Sequence, residues 1–270
     1  MNNQQTIGLN RYEDLLKRIP RDEVVELWNI VNKVVKKMSN GQVLVTVCGS
    51  FRRKALNCGD VDMILLPNRK LCQSQNIEST CIPPDNAAII ILPSVLKKLR
   101  DCGFLTDDLS NPGSYGENSG HNPGTDALSY MGICRLSREG SFFRRIDIKA
   151  YPGCQGAFAK LYFTGDAYFN RSMRAFAKRA GLTLSDAGLA RAERQRMGDK
   201  TVKIKVFPSV SCSSEEQVFT AMGIPFVPPE YRICTNNTGR IGNNNLKKAE
   251  VVKRWDDNIT TGDESDFDDF

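Results

Sequence analysis

Residues 45–66 read Val-Thr-Val-Cys-Gly-Ser-Phe-Arg-Arg-Lys-Ala-Leu-Asn-Cys-Gly-Asp-Val-Asp-Met-Ile-Leu-Leu, and this stretch decides the fold. Two apolar, β-branched runs, Val43–Cys48 and Val61–Leu66, have the composition of buried strands. Between them lie Gly49-Ser50, a basic turn at Arg52-Arg53, and the pair Asp60 and Asp62. Spaced i, i+2, the two carboxylates leave one face of the strand. Side by side they repel unless a cation sits between them, one carboxyl rises in pKa, or both are solvated at a sheet edge.

A third carboxylate, Asp147, stands between Ile146 and Ile148 in Arg-Arg-Ile-Asp-Ile-Lys-Ala-Tyr. With the isoleucines in the core, Asp147 occupies the opposite face, toward a neighbouring strand that carries Asp60 and Asp62. Three convergent carboxylates suit two Mg²⁺ ions, hard cations that take oxygen ligands and clamp both oxygens of a phosphoryl displacement. Gly49 lets backbone approach a phosphate, Ser50 donates a hydroxyl, and an Arg fork fits phosphate oxygens. Alone, the arginine pair reads as a solvated turn. Jointly with the carboxylates it predicts a metal-dependent nucleotidyltransferase site.

Outward from this stretch, Pro20 followed by Arg21-Asp22-Glu23 opens a helix whose Val24, Leu27, Trp28, Val31, Val35 and Met38 share one face, with Gly41 as its stop. Residues 68–86 read as a polar loop, Pro93–Cys102 as a short helix, and residues 111–127 as a Gly/Asn/Pro-rich mobile insertion. Strands are predicted at Tyr130–Leu136, Arg145–Tyr151 and Val202–Phe207. Helices are predicted at Gln155–Phe163 and Phe169–Ala180, with a last one capped by Ser213 and Glu216. The irregular mixture favours α+β over a βαβ repeat.

The 270 residues carry 37 basic and 31 acidic side chains, a net charge of +6. The last fifteen, Asp256–Phe270, hold seven acids and no Lys or Arg, so the preceding 255 carry 37 basic against 24 acidic. So basic a body suits a polyanion such as nucleic acid. No apolar run is long enough to span a membrane, and no secretory signal is visible. Nine cysteines without a C-x-x-C pair and a single histidine, His121, argue against a Cys/His zinc site and for reduced thiols in cytosol or nucleus.

These motifs, with QQTIGL, KRIPR, GFLTDDL, LYFTG, FNRSMRAFAK and PFVPPEYR, resemble the family X DNA polymerases, their lambda members more than their beta members. The resemblance runs from about Gln4 to Arg232. It implies a mixed-sheet nucleotidyltransferase palm with flanking helices and a smaller C-terminal α+β thumb or fingers subdomain. Residues 1–41 correspond to the end of a DNA-binding subdomain and the first palm helix, 42–153 to the palm, 154–232 to the closing subdomain, and 233–270 to a disordered tail with an acidic end. The chain begins just after the point where relatives carry a lyase domain and DNA-binding hairpins, so no lysine is given a lyase role.

By position the resemblance assigns the metal ions, two Mg²⁺ with Mn²⁺ as substitute, to Asp60, Asp62 and Asp147. It assigns the triphosphate to Arg18, Ser50, Arg53 and Gly59, and the incoming sugar and base to Tyr162, Phe163, Gly165 and Asn170. Arg145, Arg171 and Arg174 correspond to DNA contacts. Without the family, Tyr162-Phe163 reads as a core aromatic pair and the arginines of that helix as a solvated face. Ala167 stands where beta members carry an acid. Asp186-Ala187 replaces a Glu followed by an aromatic or histidine, which bears on closing and fidelity. The short segment Ser137–Phe143 favours templated synthesis over a terminal transferase. The expected activity is addition of dNTPs to a primer 3′-hydroxyl in short DNA gaps, in base excision or double-strand break repair. The expected protein is a nuclear monomer, with mitochondria as the other compartment. A non-catalytic DNA-binding scaffold is the rival from another class. In the tail, Lys247-Lys248 and Lys253-Arg254 read either as a weak import signal or as a solvated linker. The acidic end reads first as an inert solubilising tail, with competition for the basic DNA groove or docking of a repair partner through Phe267 and Phe270 as the two functional alternatives.

Overall fold

The computed structural model describes residues 1–68, 85–111, 127–198 and 200–233. All but the two end residues of the expected insertion at 111–127, most of the loop at 68–86, and the tail beyond 233 therefore lie outside the described residues. The architecture is mixed α+β.

A five-stranded sheet forms its centre, built from β2 (Val43–Val47), β4 (Val61–Pro67), β5 (Leu105–Ser110), β6 (Leu128–Cys134) and β7 (Arg144–Ala150). The strand order is β2-β4-β7-β6-β5, with β4 and β7 parallel and the other neighbours antiparallel. Two helices cover one face, α3 (Arg21–Met38) and α5 (Ala87–Asp101). Helix α3 buries Val24, Leu27, Val31 and Val35, each side chain contributing ~1.5–3 kcal/mol of hydrophobic stabilisation. Trp28 Nε1 donates to the Val45 carbonyl at 3.1 Å, so the helix also satisfies an acceptor of the edge strand.

Helix α5 starts six residues before the predicted Pro93, which lies inside it. Pro in a helix interior costs ~3 kcal/mol. Ala88, Ile89, Leu92, Val95, Leu96 and Leu99 are all buried along one face of this helix, and their burial outweighs that cost. At the N-terminus, α1 (Asn3–Asn10) and α2 (Tyr12–Leu16) precede a short ladder of β1 (Ile19–Pro20) with β3 (Asn57–Cys58).

A second core lies C-terminal to the sheet. Helices α6 (Gly156–Thr164), α7 (Ala167–Arg179) and α8 (Glu215–Ala221) pack beside the three-stranded sheet β10-β9-β8. Its strands are β8 (Leu182–Leu184), β9 (Leu189–Met197) and β10 (Lys200–Ser209). Only the last was predicted, and more briefly. Ser214, not Ser213, caps α8 by accepting from Gln217 N, while the Gln217 side chain accepts from Ser213 N at 2.8 Å. The cap is thus one residue later than the Ser213–Glu216 spacing predicts.

The two cores are joined through α4 (Gly49–Arg52). Arg52 forms a two-pronged ion pair with Glu215, which also accepts from Arg232 Nη1 at 2.6 Å. Burial by itself would raise the Glu215 carboxyl, but the two guanidiniums hold it below its ordinary value. Among the described residues all six cysteines are free thiols, and no helix is long and apolar enough to cross a membrane.

Candidate active site

Asp62 and Asp147 are Cα partners in the parallel β4–β7 register. Strand alternation places Ile146 and Ile148 in the core, fully buried, and turns Arg145, Asp147 and Lys149 to the other face. The same alternation separates two adjacent arginines. Arg144 is buried and pairs with Glu23 through both forks at 2.7 Å, whereas Arg145 lies on the site face and is ion-paired with Asp60.

The Asp62 carboxyl is pushed up to about 6, chiefly by burial and then by the Asp147 charge, with Arg53 and Lys149 pulling it back. Burial raises Asp147 as well, against Arg145 and Lys149. Asp147 Oδ1 is buried without a hydrogen-bond partner. Gly49, at φ +54, abuts Asp62 so closely that a Cβ there would collide with its Oδ2. The tight start of α4 therefore needs glycine for conformation and for space alike. Cys48, just before it, is fully buried, and burial pushes its thiol up to about 12, an inert group beside the carboxylates.

A cleft of about 560 Å³ opens at this face. Its lining includes Ser50, Arg53, Asp60 and Asp62 from one side. From the other come Tyr162, Phe163, Gly165, Asn170, Arg171 and Arg174. The remaining expected residues, Arg18, Gly59, Arg145 and Asp147, do not line it. Arg18 directly precedes β1 and donates through Nε to Asn57 Oδ1 at 2.8 Å, and a Cβ on Gly59 would come within 2.9 Å of its Nη1. A second cleft of similar size, about 590 Å³, is lined by Thr46, Lys160, Ser213 and Glu216 and holds none of the expected site residues. The carboxylates, not cavity size, identify the site.

The α6–α7 turn is held from several directions. Arg53 Nη1 donates to the Thr164 carbonyl at 2.6 Å, and Asn170 Nδ2 donates to the Tyr162 carbonyl at 2.7 Å. A Cβ on Gly165 would strike the Asn170 amide, so only glycine lets the turn close on that side chain. Asp166 caps α7 by accepting from Phe169 N at 2.7 Å. The Tyr162 and Phe163 rings meet edge-on at 5.3 Å, and Lys149 Nζ lies 4.3 Å over the Phe163 ring. Arg174 stands 5.8 Å over Tyr162 with a buried, unpartnered Nε.

Among the described residues no three His, Cys, Asp or Glu side chains already form a metal-ligating group. Asp60 is turned to Arg145 instead, the physical reason the three carboxylates do not converge as the sequence reading expects. The donor set nevertheless fits a divalent cation: an all-oxygen pair, one member desolvated and the other with an orphaned buried oxygen. Sequence reasoning passed over Asp166, Lys149 and the Glu215 network. Only Asp166 had a local signature, an acidic residue directly before a helix.

Comparison with known proteins decides the family. Residues 18–153 match the DNA polymerase beta palm, and residues 159–233 the DNA polymerase beta thumb. The chain belongs to the DNA polymerase beta family. It is 38% identical over 231 residues to DNA polymerase lambda of Rattus norvegicus, covering 85% of this chain and 35% of that protein. It is 30% identical over 228 residues to DNA polymerase lambda of Arabidopsis thaliana, covering 84% of this chain and 39% of that protein. The chain thus spans little more than a third of the length of these relatives. In family terms, the five-stranded sheet with α3 and α5 falls in the palm match, and α7, α8 and β8–β10 in the thumb match.

Proposed function

We propose that the chain is a DNA-templated DNA polymerase core that adds a nucleotide from a dNTP to a primer 3′-hydroxyl and fills short gaps in nuclear DNA. One observation carries this reading: Asp62 and Asp147 stand in register on adjacent parallel strands, with an unpartnered buried Asp147 oxygen beside a cleft lined by Arg53 and Ser50.

Asp60, Asp62 and Asp147 would hold two Mg²⁺ ions, which supply charge neutralisation at the transferring phosphoryl group and lower the pKa of the attacking hydroxyl. For Asp60 this requires release from Arg145, which is then available to DNA phosphate. Arg18 and Arg53 counter the triphosphate charge, and Ser50 and Gly59 let it approach the backbone. Tyr162-Phe163 crowds the sugar, with Asn170 fixing that turn through the Tyr162 carbonyl. Arg171 and Arg174 extend the positive wall toward the template. In this reading Asp147 takes the proton of the 3′-hydroxyl. Catalysis is mostly positioning and charge stabilisation.

The test uses a duplex with a one-nucleotide gap, Mg²⁺, and each dNTP separately. Template-directed incorporation that Asp147→Ala abolishes, with duplex binding retained, is the expected result. Incorporation unaffected by Asp147→Ala overturns the assignment. Extension of a single strand without template supports a terminal transferase instead, and binding without incorporation a scaffold.

A further inference from the structure

One buried side chain lies between strand β4, the β8–β9 turn and the aromatic turn. Tyr151 follows directly on β7, four residues after Asp147, and is 1% exposed. Its amide donates to the Leu65 carbonyl at 3.1 Å, which ties its backbone to β4. Its hydroxyl donates to Asp186 Oδ2 at 2.6 Å. Asp186 sits in the turn between β8 and β9, closed by Ser185 N donating to the Gly188 carbonyl at 2.9 Å. The Tyr151 ring lies 5.9 Å from Phe163, tilted by 57°.

A buried phenol needs a partner, and a carboxylate is a strong one. Stability alone explains that much. The ring contact, part of a small apolar cluster with Cys48, Ile64, Leu66 and Ala159, also places Tyr151 directly behind Phe163, which faces the cleft beside Tyr162. Leu184 and Ser185, next to Asp186, also line a small cavity together with Tyr162, Asn170 and Arg174. The β8–β9 turn and the Tyr151 ring therefore support the aromatic turn from two sides, and the hydrogen bond locks those two supports together.

We propose that Tyr151, held by Asp186, is a positioning residue for nucleotide selection: it fixes the Tyr162-Phe163 turn so that a deoxyribonucleoside triphosphate is accepted over its ribonucleotide counterpart. The inference rests on the polymerase reading and deepens it. A 2′-hydroxyl is excluded by crowding, and crowding depends on a wall that does not yield; a displacement of about 1 Å is enough to change rate and selectivity.

The test compares the full chain with Tyr151→Phe, which keeps the ring and removes the hydroxyl, and with Asp186→Asn, which keeps a carbonyl acceptor. Incorporation of dNTP and of rNTP is measured opposite the same template base in gapped duplex with Mg²⁺. Amide hydrogen exchange is followed over residues 161–165. Tyr151→Phe is expected to raise the dNTP KM and to lower the dNTP-over-rNTP preference about tenfold, the order of one lost hydrogen bond to a charged acceptor. The kcat for dNTP should stay within about twofold, because no group at the reacting atoms is altered. Exchange over 161–165 should accelerate, and Asp186→Asn, which keeps a neutral acceptor, should lose less of the preference than Tyr151→Phe. An unchanged preference, or an equal loss of kcat for both sugars, overturns the proposal. A parent chain that incorporates nothing overturns the polymerase reading. In that case exchange alone decides the positioning contact, and unaltered protection in Tyr151→Phe refutes it.

Discussion

Arg52 in the palm and Glu215 in the thumb are joined by a two-pronged ion pair, and the same carboxylate accepts from Arg232, whose side chain is 0% exposed. Arg232 is further enclosed by the Phe169, Phe219 and Phe226 rings, each 5.4–5.8 Å from its guanidinium carbon. One acid thus bridges two cations in a largely dry place. Glu215→Ala leaves Arg232 buried and uncompensated and should cost ~3–5 kcal/mol. Glu215→Gln, which retains an acceptor, should cost less. Urea unfolding measures both, and an unchanged midpoint for the alanine variant refutes the account.

Gly49→Ala tests the close approach at the carboxylates. The residue sits at φ +54 and its Cβ would strike Asp62. The left-handed conformation costs a non-glycine residue ~1–3 kcal/mol, and moving Asp62 by about 1 Å costs about a hundredfold in rate. Thermal unfolding and single-nucleotide incorporation should show both losses. A variant with parental incorporation shows that the backbone gives way there without consequence.

The raised Asp62 carboxyl fixes the sign of that residue's contribution to pH-dependent stability in the metal-free protein. Its ordinary value is 3.8 and its folded value about 6, so between these the folded chain holds a proton that the unfolded chain has lost. Stability therefore falls as pH rises from about 4 to about 6, by up to ~3 kcal/mol, and the loss persists above 6. Asp62→Asn should abolish that dependence and raise Tm at pH 7 while eliminating incorporation. Mg²⁺ should raise Tm of the parent chain at pH 7 and leave the Asn variant nearly unaffected. Asp147 adds to the same trend and the lowered Glu215 opposes it, so the comparison is with the variant: equal pH slopes for parent and Asp62→Asn between pH 4 and 7 contradict the assignment.

Asp166→Ala removes the side-chain cap of α7, the helix that carries Asn170, Arg171 and Arg174. Loss of an N-cap costs ~1 kcal/mol, and Asn in its place restores most of it. The Ala variant should melt earlier and show a higher nucleotide KM. Equal Tm for the Ala and Asn variants argues that the cap contributes nothing.

The palm was legible because its signals are local. Val43–Val47 and Val61–Pro67 are apolar runs bounded by glycine, α3 has a clear helical stripe, and Asp147 alternates with two isoleucines. Strand β5, Leu-Thr-Asp-Asp-Leu-Ser, and β9, Leu-Ala-Arg-Ala-Glu-Arg-Gln-Arg-Met, were missed because acids, alanines and arginines have little intrinsic strand preference; their partners in the sheet decide them. The ties between the cores were illegible for another reason. Arg52 and Glu215, or Tyr151 and Asp186, meet at separations that follow no periodicity. The Arg145–Asp60 pair is of the same kind, and it is why a triad plain in the sequence is not assembled as one in the structure.

The parallel pairing of β4 with β7 has a consequence during synthesis. Strand β4 acquires β2 on one side as soon as the first hairpin forms, but its other edge belongs to a strand about eighty residues further along the chain. At ~5–20 residues per second, a ribosome takes about 4–16 s to deliver that partner. Through this interval the Val-Asp-Met-Ile-Leu-Leu-Pro edge has no strand beside it, an invitation to pair with a neighbouring nascent chain.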